Sequence, residues 1–161
     1  MNIYGYCRIS TAKQSIDRQI RNIKAEYPIA HIVQEAYTGT SIFRPEWLKL
    51  YRDLKAGDTV VFDSVSRMSR NAEEGFALYE DLYHKGIRLV FLKEHHIDTE
   101  TYKKALSGSI AMTGTNVDFI LKGINEYLMA LAKEQIKLAF EQSEKEVADL
   151  HQRTREGLLT A

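Results

Sequence analysis

This chain is short of most features that declare a function outright. Its one cysteine, Cys7, leaves no disulfide framework and points to a reducing compartment. Lys plus Arg and Asp plus Glu both total 22, so bulk charge makes no case for nucleic acid, and any anion site must come from local placement of arginines. There is no charged-then-apolar leader, and no apolar run reaches the ~20 residues that cross a bilayer. The expectation is a cytoplasmic protein with no membrane partner. No Gly-rich phosphate loop with Lys-Ser/Thr is present, which argues against a nucleoside triphosphatase. No Gly-x-Ser-x-Gly elbow is present, which argues against an esterase. A cysteine phosphatase loop fails because the residue six beyond Cys7 is a lysine. His95 and His96 lack a helical i, i+4 partner and a carboxylate set, so no metal is expected. A phosphate-receiving regulatory domain needs acids at its sheet edge, and that edge reads as basic here.

What is present fits one domain with a full core: 161 residues, 44% hydrophobic and 27% charged. Ile3 to Cys7 is a nearly continuous apolar strand, the pattern of burial on both faces. Residues 12 to 26 carry Ile16, Ile20 and Ile23 at helical spacing, and Pro28 closes that helix. Ile29 to Ala36 is a second strand. Arg44-Pro45 opens a helix with Trp47, Leu48, Leu50, Tyr51 and Leu54 on its apolar face. Thr59 to Phe62 is a third strand, 72 to 85 an amphipathic helix ended by Gly86, and Arg88 to Leu92 a fourth strand. This alternation predicts an α/β fold, a mostly parallel sheet of four to five strands flanked by helices.

Beyond Val117 the chain changes character, with no proline and helix formers throughout. The reading divides it into an α/β domain over 1–116 and a long helix over 117–161. Val117, Ile120, Leu121, Ile124, Leu128 and Leu131 are dense, as for a helix packed on a domain. Ile136, Phe140, Ser143, Val147, Leu150 and Thr154 then recur in alternating steps of four and three, the spacing of a two-helix seam between subunits with Ile136, Phe140, Val147 and Leu150 as its apolar members. A helix folded back on its own domain is the alternative. The final residues supply no closing element, and the sequence is read as a piece of a longer protein.

Parallel sheets place their sites at the C-terminal ends of strands. There the first strand delivers Arg8 and Ser10, the second Thr38 to Arg44, and the third Ser66-Arg67-Met68-Ser69-Arg70. Serine is a poor nucleophile unless the charge it generates is stabilised. Guanidiniums do that well for phosphate. Four arginines at one edge repel each other without an anion, and a phosphodiester passing through a more highly charged transition state would supply one.

Tyr4-Gly5-Tyr6-Cys7-Arg8-Ile9-Ser10-Thr11 with Gln14 and Gln19, Thr38-Gly39-Thr40-Ser41 before Arg44-Pro45, and Ser66-Arg67-Met68-Ser69-Arg70 together resemble the catalytic domain of the serine recombinases. His96-Ile97-Asp98-Thr99 and Arg153-Thr154-Arg155-Glu156-Gly157 resemble its large integrase and transposase branch. The resemblance implies that Ser10 attacks a DNA phosphate to form a 5′-phosphoserine. It implies that Arg8, Arg67 and Arg70 stabilise the transition state, that Arg44 adds a contact, and that Gln19 and Thr38 support the pocket. It further implies a homodimer that becomes a tetramer when synapsed on DNA, base reading by a further C-terminal region, and no metal or nucleotide cofactor.

Three departures stand out. Ser66 occupies the position of an aspartate in small resolvases, which leaves the proton donor open. Gln135-Ile136 stands where the family's Glu-Arg pair is expected. About eleven additional residues between Ala132 and Arg153 lengthen the helix by close to three turns. The competing reading is a non-catalytic phosphate- or nucleic-acid-binding α/β module that keeps the fold.

Overall fold

In the computed structural model, residues 1–9, 16–36, 44–69, 71–107 and 111–160 are described, without the side chains of 106–107, 146–155 and 158–160. Four strands, β1 (Ile3–Arg8), β2 (His31–Glu35), β3 (Thr59–Phe62) and β4 (Arg88–Phe91), form one parallel sheet in the order β2-β1-β3-β4. Between and after them run α1 (Asp17–Glu26), α2 (Pro45–Asp53), the one-turn α3 (Val65–Met68) and α4 (Ala72–His84). A 3-10 turn at His95–Ile97, α5 (Thr99–Ser107) and α6 (Asp118–Thr160) complete the order.

Local chemistry accounts for the element ends. Pro45 starts α2, where its missing N–H costs nothing. Asn71 caps α4 by accepting the Glu74 N–H at 3.0 Å. Gly86, at φ +80°, ends the turn after α4 with a left-handed backbone.

Alternation along the strands splits the core between the two sheet faces. Tyr6, Phe62 and Phe91 stand in one row across β1, β3 and β4. Their rings touch at centroid distances of 5.9 and 5.4 Å, and Trp47 adds an edge contact to Tyr6 at 5.1 Å. α2, α4, α5 and α6 close this face with Trp47, Leu50, Tyr79, Leu82, Tyr102, Ile136 and Phe140. The other face is thinner: Cys7, Val61 and Val90 meet Ile23 of α1. That helix lies so close that a Cβ on Gly5 would sit 2.8 Å from Ile23 Cγ2 and 2.9 Å from Ile32 Cδ1.

The long helix departs from expectation in both of its parts. Its first turns pack less than expected: Val117, Ile120, Ile124 and Leu131 are exposed, as are Phe119, Tyr127 and Met129, while Leu121 and Leu128 are half-buried. Ile136 and Phe140, expected in a seam between subunits, are instead 2% and 1% exposed within the chain's own core. The physical reason lies in α4, where Gly75 opens a slot that the Phe140 ring fills. Burial there releases about 2–3 kcal/mol per large side chain without any partner. The side chains of Val147 and Leu150 lie outside the described residues. Helix α5 has no signature in the sequence, because its polar run buries only Thr99 and Tyr102 among its described side chains and shows no apolar stripe.

Candidate active site

The site is built at the C-terminal edge of the sheet, where β1 runs past the end of β3. β3 pairs with β1 only as far as Tyr6↔Phe62, so Arg8 extends beyond that ladder. The buried Gln19 of α1 completes it. Its Oε1 accepts the Arg8 N–H at 3.1 Å, and its Nε2 donates to the Arg8 carbonyl at 2.8 Å. Gln19 is thus a brace for the strand that carries Arg8.

Arg8, two residues beyond Tyr6, shares that residue's face of the sheet. Its Nη2 donates to the Ser66 carbonyl at 2.6 Å. Arg67 returns the link, Nη1 to the Arg8 carbonyl at 3.1 Å. Arg44 comes from the start of α2, with its guanidinium 5.7 Å from the Trp47 ring, and donates through Nη1 to the Met68 carbonyl at 2.7 Å. Arg8, Arg44, Arg67, Gln19 and Ser66 are therefore brought together. Ser10, Thr38 and Arg70 lie outside the described residues. The bonds shown for the three arginines run to backbone carbonyls, which orient a guanidinium without cancelling its charge.

The Ser66 hydroxyl lies 2.7 Å from that of Ser64, so each is oriented by the other. Glu94 reaches from the end of β4 to accept the Val65 N–H at 3.1 Å, holding the first turn of α3.

The edge is also less basic than its sequence suggests. Glu35, at the end of β2 and paired in register with Arg8, is 2% exposed and accepts the Glu46 N–H at 3.0 Å, bracing the start of α2. Burial raises its pKa above the usual carboxylate value despite that bond. Asp63, also buried, accepts from Asn22 Nδ2 at 2.9 Å and pairs with Lys93 Nζ at 3.2 Å. Sequence reasoning missed Glu35, Asp63 and Glu94 because each stands alone in sequence at a different strand end. The signal available was a carboxylate closing three of the four strands. They are spread across the sheet, and no group of three or more His, Cys, Asp or Glu that could hold a metal ion is found among the described residues.

Two neighbours of the arginines are chemically quiet. Burial pushes the Tyr6 hydroxyl up to about 12 and the Cys7 thiol to about 12, with nearby Asp63 adding to the latter. Both stay protonated at neutral pH, so Cys7 is a core residue and not a nucleophile.

A model of the resolvase N-terminal domain matches residues 3–161. A resolvase from Clostridium perfringens is 32% identical over 99 residues, 60% of this chain and 52% of its own length. The Tn21 transposon resolvase of Escherichia coli is 27% identical over 159 residues, 95% of this chain and 83% of its own. A solved resolvase family site-specific recombinase from Streptococcus pneumoniae superposes with a TM-score of 0.48 at 20% identity, over 99% of this chain and 97% of that one. The chain spans only about half the length of some curated relatives and most of the length of others. With a family model covering nearly all of its residues, the chain belongs to the resolvase N-terminal domain family.

Proposed function

We propose that this domain is the DNA-cutting part of a serine site-specific recombinase, with Ser10 as its nucleophile. The observation that carries the reading is the convergence of Arg8, Arg44 and Arg67 on one turn, residues 64–69, with Arg8 two residues before Ser10 in sequence. Ser10 Oγ loses its proton and bonds to the scissile phosphorus. The bond from phosphorus to the 3′-oxygen breaks, and that oxygen leaves as a 3′-hydroxyl after taking a proton. The strand is left as a 5′-phosphoserine. Arg8, Arg67 and Arg70 carry the charge that grows on the non-bridging oxygens, and Arg44 adds a phosphate contact. Rejoining reverses the step with the 3′-hydroxyl of another strand. Within the family, the resemblance of His96-Ile97-Asp98-Thr99 and Arg153-Thr154-Arg155-Glu156-Gly157 favours the large integrase and transposase branch.

The partners in this reading are DNA and further copies of the chain: a homodimer that becomes a tetramer on synapsed DNA. Supporting it, Phe119, Ile120, Ile124 and Tyr127 expose apolar surface on the first turns of α6, more than a lone subunit gains from. Residues 1–116 hold the reacting groups and 117–161 the helix that joins subunits and leads toward a base-reading region. Within that division, Ile136 and Phe140 serve the core of the first part.

The test is a nicked suicide substrate offered to the full-length protein. The unaltered protein is expected to form a protease-sensitive covalent adduct, and Ser10→Ala none, with folding and DNA binding unchanged. No adduct from the unaltered protein would leave only a phosphate-binding module of the same fold.

A further inference from the structure

The turn that gathers the arginines is tied down at intervals along its length. The Val65 N–H is held by Glu94, the Ser66 carbonyl by Arg8, and the Met68 carbonyl by Arg44. Ser69 Oγ then donates to the Asn71 carbonyl at 2.9 Å and accepts the Asn71 N–H at 3.2 Å, joining the turn to the cap of α4. The final tether comes from far away in sequence. Glu144 of α6 accepts the Ala72 N–H at 3.1 Å. Ala72 opens α4, and its amide is one of the four that a helix start leaves without an internal partner. A carboxylate there also meets the positive end of the helix.

A second contact lies one helical turn back on α6. The Phe140 ring presses on Gly75, where an added Cβ would fall 2.5 Å from Cδ1. Residues 140 and 144 share one face of α6, and 72 and 75 share one face of α4. The two contacts therefore fix α4 against both sliding and rotation of α6. Helix α3 touches α6 as well. The Glu144 side chain is exposed, so its bond to Ala72, more than buried area, is what it contributes.

We propose that Glu144 is a positioning residue for the arginine turn, fixing the start of α4 and thereby the turn that carries Arg67. The inference rests on the recombinase reading above. Movement of α6 strips Ala72 of its acceptor and loosens the segment two residues beyond Arg70, while the sheet and its strand ends stay in place.

Glu144→Ala and Glu144→Gln in the full-length protein test this with two readouts. Amide exchange over residues 66–74 of the DNA-free protein is expected to rise roughly 10-fold in Glu144→Ala, the scale of one lost charge-assisted hydrogen bond. Single-turnover cleavage of a suicide substrate should fall roughly 10-fold with DNA affinity within about twofold, since the lost bond touches geometry and not phosphate. Glu144→Gln keeps an oxygen acceptor and should restore most of both. Unchanged exchange in Glu144→Ala overturns the proposal, as does unchanged cleavage in a protein whose parent cleaves. A glutamine variant as defective as alanine overturns it too, by showing that charge and not the bond matters. If the unaltered protein forms no adduct, the recombinase reading falls, and the exchange measurement still decides the clamp by itself.

Discussion

The two parts of α6 that flank Leu131 use the same kinds of residue to opposite ends. Before it, Phe119, Ile120, Ile124 and Tyr127 face solvent; after it, Ile136 and Phe140 are sealed into the domain beside Phe91 and Gly75. Apolar density therefore does not tell which stretch of a helix packs on its own domain. What decides is whether the domain offers a complementary hollow. α4 offers one at Gly75, whereas residues 118–131 bury none of their described side chains fully. A helix of 43 residues is about 65 Å long, more than a sheet of four strands can cover.

Phe140→Ala should break the buried part most severely. It empties the slot beside Gly75 and Phe91 and is expected to cost about 3–5 kcal/mol in denaturant unfolding. Gly75→Ala attacks the same slot from the opposite side. The new methyl must displace the ring or α6 itself, for a loss of about 1–3 kcal/mol by the same measurement. Phe119→Asp combined with Ile120→Asp sharpens the contrast at the exposed end. Unfolding of the subunit should change by less than about 0.5 kcal/mol. Self-association followed by sedimentation should weaken at least roughly 10-fold. Equal effects on stability at both ends would erase the distinction between them.

The smallest expected effect serves as a control outside α6 itself. His95 lies 2.7 Å from Asp98 Oδ2 and 3.7 Å from Glu26 Oε2, and its bond to Asp98 holds its pKa above the usual imidazole value. A raised folded pKa means that the stabilisation is complete below about pH 6.5 and is lost as pH rises through the folded value. His95→Gln should flatten the fall in melting temperature across that window. It should leave the contrast between the two parts of α6 untouched.

Strands and helices were legible wherever a period was strong. β3 is the run Thr59–Phe62 read from sequence, and α4 ends within one residue of its expected limit. The arginines were legible as a set because they share strand ends, and three of the four are brought together. Pairing between distant residues was not legible. Glu35, Asp63 and Glu94 are unremarkable in sequence, and their roles exist only once β2, β3 and β4 lie side by side. The placement of Phe140 depended on a missing side chain at Gly75, an absence that no pattern within α6 can reveal.

Gln19 sets a different kind of limit, one on what evolution or design can place there. Its primary amide behaves as an imitation peptide group laid beside Arg8, offering a carbonyl to one backbone atom and an N–H to the other. Of the side chains that reach as far, only an amide presents both at once. Glutamate would set a negative oxygen against the Arg8 carbonyl, and leucine or methionine would take away the Gln19 partner of the Arg8 N–H and leave its carbonyl to Arg67. A strand that outruns its neighbour is thus finished by a counterfeit of the strand it lacks, and the end of β1 is copied faithfully only while that counterfeit is kept.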